Sequence, residues 1–356
     1  MTEISQSPSV EAIVSTYRRR SFWRVALVIV AAATLLTTVI IDVITGPADL
    51  SFWRVAHVIF DPSVATAKEE VIIWDLRLPV AMMAVVVGAM LGVAGAELQT
   101  ILNNPLAEPF TLGLSSAASF GAAVAIVLGW SVLPGVGALF VTVNAFFFAM
   151  MASFMLFLVT RMRGANPETI ILMGIAMMFT FNALLAFLQY GASELQLAQL
   201  IFWQLGSLGR ATWPKVGICL VVLAIILPYF LSRSWALTAL RMGEDKAAAL
   251  GVNVSLLRLM VLGGVSLLAA VAVSFVGAIA FVGLVAPHIA RMIAGEDQRG
   301  FLPLSAMAGA LILSGTSIAS KAITPGIVYP IGMITSLVGI PFFVSLILSQ
   351  RKRHWQ

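Results

Sequence analysis

The residues of this chain that could do chemistry are few and far apart. Its three histidines, His57, His288 and His354, are widely separated, and the sequence contains neither an HExxH motif nor a GxxxxGKS/T phosphate-binding loop. Hydrolytic or metal-dependent chemistry needs titratable side chains that converge on one site. The sequence therefore predicts no catalytic site, no metal site and no cofactor bound by this chain, as expected for a protein that is not an enzyme.

Glu97 and Lys321 are the candidates for charges inside apolar runs, where ionisable side chains usually mark an ion or proton path. Neither has an oppositely charged partner at helical spacing. If these charges did mark an ion path, the protein would be an ion-coupled secondary transporter. This alternative of another class predicts uptake that follows a proton or sodium gradient. No acidic or carbonyl motif typical of a channel filter is present in the sequence.

The elements that must position these residues are apolar. Of the 356 residues, 60% are hydrophobic and only 10% are charged, which is far outside the range of soluble domains. Runs of about 18 or more apolar residues can cross a hydrocarbon core roughly 30 Å thick. The composition therefore predicts an all-α, polytopic membrane protein whose surface contacts membrane lipid.

About ten apolar runs are predicted to form transmembrane helices. The runs cover approximately 25–44, 77–102, 110–130, 138–160, 170–190, 216–231, 259–279, 280–295, 302–323 and 330–348. The eighth run is expected to break at Pro287, because proline removes a backbone donor. The predicted organisation is a cytoplasmic N-terminal tail over 1–22, a transmembrane domain over 23–350 and a basic cytoplasmic tail over 351–356.

The basic residues lie in short loops between apolar runs, so they indicate orientation and not binding of nucleic acid. With ten crossings, most of the 21 lysines and arginines fall on the same side as the N-terminus. The positive-inside rule then places both termini in the cytoplasm. The exceptions, on the predicted outer side, are Arg54, Lys68, Arg77, Arg210, Lys215 and Lys321.

Two segments next to the spans have a distinctive pattern. Gly88, Gly92 and Gly95 share one helical face, which favours close approach of another helix, and a turn containing Asn103, Asn104, Pro105 and Pro109 follows that span. On the predicted cytoplasmic side, Ala239 to Leu250 is expected to form a short amphipathic helix. Gly251 is predicted at the position just after its C-terminus.

Several motifs occur in an order that resembles the FecCD-type permease subunits of bacterial ABC importers for iron-siderophores, haem and cobalamin. The resemblance covers the chain after about residue 70. The motifs are RLP at Arg77, the glycine series with Gln99, NPLAEP from Asn104, WQLGSL from Trp203, LRMGEDKAAALGV from Leu240, GAIAFVGLVAPHIAR from Gly277 and PIGMITSLVGIPFF from Pro330.

The resemblance implies a type II ABC importer in the bacterial inner membrane. Its permease would be a homodimer, or a heterodimer with a related permease, with two cytoplasmic ATPase subunits that bind ATP and a periplasmic or lipid-anchored substrate-binding protein. Transport would proceed by alternating access. A ferric siderophore is the expected substrate, and haem and cobalamin are the alternatives.

The resemblance also implies roles for particular residues. Coupling to the ATPase is assigned to Leu240, Arg241, Gly243, Glu244, Asp245, Lys246, Leu250 and Gly251. The cytoplasmic gate is assigned to Asn104 and Leu106, and the translocation path to Met177, Asn182, Gln189 and Thr335. Docking of the binding protein is assigned to Arg77 and Lys321, although Val80, Ser317 and Val328 stand where the family pattern has charged residues.

Overall fold

The computed structural model describes residues 28–46, 50–164, 166–324 and 326–350. The predicted tails, 1–22 and 351–356, lie outside these ranges, as does the start of the first predicted span. Within the described ranges every regular element is helical. The prediction of an all-α protein is therefore confirmed.

Fifteen α-helices are labelled here in chain order. They are α1 (Val28–Ile44), α2 (Phe52–Phe60), α3 (Ala67–Glu70), α4 (Leu78–Ile101), α5 (Leu114–Leu128), α6 (Phe140–Arg163), α7 (Pro167–Tyr190), α8 (Glu194–Gln204), α9 (Trp213–Ser232), α10 (Ser234–Arg241), α11 (Glu244–Ala249), α12 (Val254–Val276), α13 (Val282–Ala294), α14 (Gln298–Ala322) and α15 (Ile331–Gln350). A π-helical stretch, Val71–Arg77, joins α3 to α4.

Each of the ten predicted runs corresponds to an apolar helix. Among the described residues, six helices are long and apolar enough to cross a membrane, and four apolar helices are shorter. The short ones are α1, α5, α13 and, counted over Ile331–Ser345, α15. Irregular backbone at membrane depth is tolerated only where protein or a cavity surrounds it, so the turns beside α5 and α13 must be enclosed by neighbouring helices.

Helix α4 is the centre of the bundle, and it packs against α14, α12, α13 and α9. The predicted glycine face carries these contacts. Gly88 and Gly92 lie against the backbone of α14 at Gly309 and Ser305, and Gly95 lies against Gly283 of α13. Missing side chains thus let three helices approach closely, which is how membrane helices gain packing energy without a hydrophobic driving force.

Two local predictions are wrong. The segment Ala239 to Leu250 is not one helix, because the backbone turns at Gly243, whose φ of +117° is a conformation that favours glycine. Helix α13 continues through Pro287 from Val282 to Ala294, so the predicted break is absent. The prediction for Gly251 is confirmed, because it has a φ of +84° just after α11.

Helix α8 lies between the fifth and sixth predicted runs, outside all ten of them. Ser193 and Gln196 form a capping box at its N-terminus, with the Ser193 amide donating to Gln196 Oε1 at 2.9 Å and the Gln196 amide donating to Ser193 Oγ at 3.4 Å. Such reciprocal bonds satisfy two amides that a helix start otherwise leaves unpaired. The box fixes where α8 begins.

Candidate functional site

The segment predicted to couple to an ATPase forms two short helices on the surface, α10 and α11. Leu240 and Ala247 are buried and hold the pair against the bundle. Glu244, Asp245 and Lys246 are exposed, and so are the apolar side chains of Met242 and Leu250, at 53% and 51%. Charged and apolar side chains side by side are what a protein partner can recognise.

Arg258 of α12 links this surface to the end of α4. Its side chain is 3% exposed; Nη2 donates to Glu244 Oε1 at 2.6 Å and Nε donates to the Ile101 carbonyl at 2.9 Å. The hydrogen bond from Arg258 lowers the pKa of Glu244, so this carboxylate stays ionised at neutral pH. One guanidinium therefore connects α11 to the residue that ends α4.

Arg241 makes a second link, from α10 to the turn that follows α4. It donates to Asn103 Oδ1 at 2.8 Å and to both carboxylate oxygens of Glu296 at 2.9 and 2.7 Å. Asn103 has a φ of +46°, a left-handed conformation that asparagine tolerates better than most residues. Sequence reasoning placed Arg241 in the coupling segment but missed its bond to the turn, because the two residues are far apart in the chain.

The predicted gate is a turn that re-enters the bundle after α4. Asn104 Oδ1 accepts a hydrogen bond from the Leu106 amide at 2.9 Å, so the two predicted gate residues brace each other. Leu106 is 38% exposed. The turn continues through a 3-10 helix, Pro109–Leu112, to Gly113, which lies against Gly174 and Met177 in the middle of α7.

Glu108 anchors this turn to the start of α13. Its Oε2 accepts a hydrogen bond from the Phe281 amide at 3.0 Å, and Glu108 itself is only 6% exposed. Phe281 has a φ of +70°, a strained backbone conformation for a large aromatic residue. The carboxylate therefore holds together two irregular segments, one before α5 and one before α13.

We expect Glu108→Ala to lower the unfolding temperature and to reduce transport about tenfold, because the partly buried Phe281 amide would lose its acceptor at a cost of up to roughly 1–3 kcal/mol. Glu108→Gln keeps an acceptor oxygen, so it should retain most of the native thermal stability and most of the native transport. Thermal unfolding in detergent and uptake into vesicles would measure the pair. Equal losses in the two variants would contradict the anchoring role.

The two cations predicted to dock a binding protein have partners within the chain. Arg77 is 7% exposed and donates to the carbonyls of Val43 and Ile44, both at 2.9 Å. Lys321 pairs with Asp42 at 3.0 Å, and Ser317 Oγ donates to Asp42 Oδ2 at 3.1 Å. The docking role stays a prediction. Lys321 has no acidic partner at helical spacing along the chain, but in the structure it pairs with Asp42 of α1.

Asp42 is a residue that sequence reasoning missed. It is fully buried near the end of α1, inside the first predicted span. A lone carboxylate in an apolar run was the available signal, because such a charge requires a partner in the bundle. Its bond to Ser317 shows why α14 can have a serine at that position.

Four of the cations predicted on the outer side converge on one cavity of about 1200 Å³. These cations are Arg77, Arg210, Lys215 and Lys321. The bonds among Arg241, Arg258, Glu244, Glu296 and Asn103 lie in the segments predicted to be cytoplasmic. The cations predicted on the outer side and the residues predicted on the cytoplasmic side therefore form separate groups in the fold.

The four predicted path residues do not come together at this cavity. Met177 and Thr335 are buried at 4% and 3%, whereas Asn182 is exposed and Gln189 is half-buried. Met177 contacts the gate turn through Gly113. The path assignment stays a prediction.

A bundle with six helices long and apolar enough to cross a membrane, and with a charged surface segment bonded to the turn after α4, is that of a multi-pass membrane protein. Residues 34–349 match the model of the FecCD transport family. The chain belongs to the FecCD transport family, and it is a permease subunit of the ABC importer type.

Similar proteins agree with this assignment. The hemin transport system permease protein HmuU of Yersinia pestis is 39% identical over 79% of this chain and 84% of its own length. The vitamin B12 import system permease protein BtuC of Klebsiella pneumoniae is 34% identical over 81% of this chain and 86% of its own. A solved structure of an ABC transporter of metal-chelate type, in an inward-facing conformation, has a TM-score of 0.78 at 29% identity and covers 91% of this chain and 99% of its own.

Proposed function

We propose that this chain imports a ferric siderophore through the inner membrane, driven by ATP that separate subunits hydrolyse. Two copies of the chain, or this chain and a related permease, would enclose the path, with both termini in the cytoplasm. A binding protein would deliver the substrate at the outer end. The similar proteins named above support a metal chelate as cargo, and haem and cobalamin are the alternatives.

The observation that carries the proposal is the bonded route from the exposed segment to the gate turn. Glu244 on the surface bonds Arg258, and Arg258 bonds the last residue of α4. Arg241 bonds Asn103 within the turn. A transporter powered from outside its own chain needs such a rigid connection between the point where force is applied and the element that moves.

Reconstituted vesicles would test the proposal. Vesicles containing the chain, its ATPase subunits and its binding protein should accumulate a radiolabelled ferric siderophore only with ATP, and excess haemin or cobalamin should not compete. Uptake that persists without the ATPase and collapses when ionophores remove the proton and sodium gradients would overturn it in favour of a secondary transporter. Competition by haemin or cobalamin would instead favour those substrates.

We expect Glu244→Lys to uncouple ATP hydrolysis from uptake, because it places a second cation against the buried Arg258 guanidinium and breaks the first bond of the route. Uptake should fall about tenfold, on the scale of typical coupling free energies, while membrane insertion stays normal. Uptake and ATP hydrolysis would be measured together on the same vesicles.

The matched control for this prediction is Glu168→Lys. Glu168 is exposed in the first turn of α7, on the predicted cytoplasmic side, so the charge change is the same without the bond to Arg258. Unchanged uptake in Glu244→Lys, or an equal loss in Glu168→Lys, would argue against the coupling role of α11.

A further inference from the structure

Two cations, Arg210 and Lys215, line the cavity of about 1200 Å³ described above. Arg210 ends a 3-10 helix, Leu208–Arg210, and Lys215 lies in the first turn of α9. The Lys215 ammonium donates to the Arg210 carbonyl at 2.7 Å, which keeps the two residues together. Neither of them forms an ion pair within the described part of the chain.

The Arg210 guanidinium has few partners for its five N–H donors. Nη2 reaches the Val276 carbonyl at 3.5 Å, and the guanidinium carbon lies 5.8 Å from the centre of the Trp203 ring. Its Nε is buried and bonds no acceptor among the described residues. Nε is thus closed to an occupant, but the half-buried Arg210 side chain lines the cavity. A charged group short of acceptors costs free energy, so the site is suited to an occupant that brings acceptors to the exposed part of the guanidinium.

The cavity itself indicates what kind of occupant would fit. Its volume of about 1200 Å³ exceeds the roughly 300–1,000 Å³ of sites for drug-sized ligands. Four of the lining residues are aromatic, namely Phe140, Phe202, Trp203 and Tyr329. The described lining residues include basic side chains and no aspartate or glutamate. This environment favours a large ligand with an apolar or aromatic body and negatively charged oxygens.

We propose that Arg210 and Lys215 bind the anionic oxygens of the cargo, so that the substrate is a negatively charged metal chelate and not a neutral one. A guanidinium binds paired oxygens of a carboxylate or catecholate through two parallel hydrogen bonds. Phe202, which is 66% exposed, and Tyr329 supply ring surfaces for the ligand body. This inference deepens the proposed function and rests on it for the statement that the bound chelate is the transported one.

Equilibrium binding without ATP tests the site separately from transport. The full chain, assembled with its ATPase subunits in lipid nanodiscs, is mixed with a radiolabelled ferric tris-catecholate, which is a trianion, or with a neutral ferric tris-hydroxamate of similar size. We expect the anionic complex to bind and the neutral one to bind at least about tenfold more weakly, the scale of one lost charge-assisted hydrogen bond.

Variants locate the binding to the two cations. Arg210→Gln and Lys215→Gln should each weaken binding of the anionic complex about tenfold, and Arg210→Lys, which keeps the charge, should recover part of the loss. Lys68→Gln, at an exposed cation on the same predicted side and outside the cavity, should change nothing. All variants are compared at equal monodispersity and equal unfolding temperature.

Three outcomes would overturn the inference. The neutral complex could bind as tightly as the anionic one, or the glutamine variants could bind the anion as the native chain does. Arg210→Gln could instead weaken only the docking of the binding protein, which would assign the cation to an acidic protein partner. Failure of ATP-driven uptake with binding intact would count against the proposed function and leave the anion site standing.

Discussion

Arg258→Met is expected to reduce ATP-driven uptake by about tenfold or more, corresponding to roughly 1.4 kcal/mol of coupling free energy, while ATP hydrolysis continues. The guanidinium is the only group in the described chain that bonds both Glu244 and the Ile101 carbonyl. Methionine fills a similar volume without donors. Movement of α11 would then no longer reach the end of α4 through hydrogen bonds.

Arg258→Met should also lower the free energy of unfolding, and the size of this loss can be bounded. The Ile101 carbonyl would lose its donor at a buried position, which costs roughly 1–3 kcal/mol. The loss of the ion pair with Glu244 lowers the free energy of unfolding by less, because the Glu244 side chain is 54% exposed and water can solvate it. The expected loss is therefore small enough for the variant to insert and assemble, so that uptake and hydrolysis can be compared in it.

Two further variants separate coupling from folding in this prediction. Arg258→Lys keeps a charge but loses the planar fork that reaches two acceptors, so its uptake should fall between those of the native chain and Arg258→Met. Arg299→Met removes an exposed arginine on the same predicted side and should have no effect. Equal uptake in Arg258→Met and the native chain would rule out this route of transmission.

Gly309→Ala is expected to lower the unfolding temperature by several degrees, through a loss of roughly 1–3 kcal/mol from overpacking. A methyl group at this position would press on the Gly88 carbonyl and lie 3.1 Å from the Gly92 Cα. Both contacts are to backbone, so no side chain can move aside. Helices α4 and α14 would have to separate along their whole contact.

The control for this prediction lies on the same helix. A methyl group at Gly315 would meet no atom within 4 Å, so Gly315→Ala should stabilise α14 slightly, since alanine favours helix by roughly 1 kcal/mol over glycine. The two substitutions are chemically identical and are expected to have opposite signs. Thermal unfolding in one detergent would measure both, and equal shifts would contradict the packing of α4 on α14.

Much of the fold was predictable because the membrane restricts the choices. A long apolar run in lipid must satisfy its backbone internally, so it forms a helix, and the ten predicted runs all correspond to helices. The glycine face on α4 was predictable from spacing alone. The break at Gly243 and the continuity through Pro287 were not, since each depends on how a short helix packs against its neighbours.

The candidate site was less predictable than the fold. Motif order pointed to the coupling segment and to the turn at Asn104, but not to the bonds between them. Arg258, Asp42 and the Glu108–Phe281 pair act through contacts between distant parts of the chain. A single sequence contains no information on which of its charges face one another across a bundle.

The amino-acid sequence by itself determined that this protein is a helical, multi-pass membrane protein, because apolar length and glycine spacing are properties of local segments, and the order of its motifs added the resemblance to FecCD-type permeases. Only the tertiary structure decided which cations are paired and which are available: Lys321 meets Asp42, whereas Arg210 and Lys215 meet no carboxylate in the described chain. The physical reason is that an ion pair depends on distances between helices. Those distances exist only once the helices have packed.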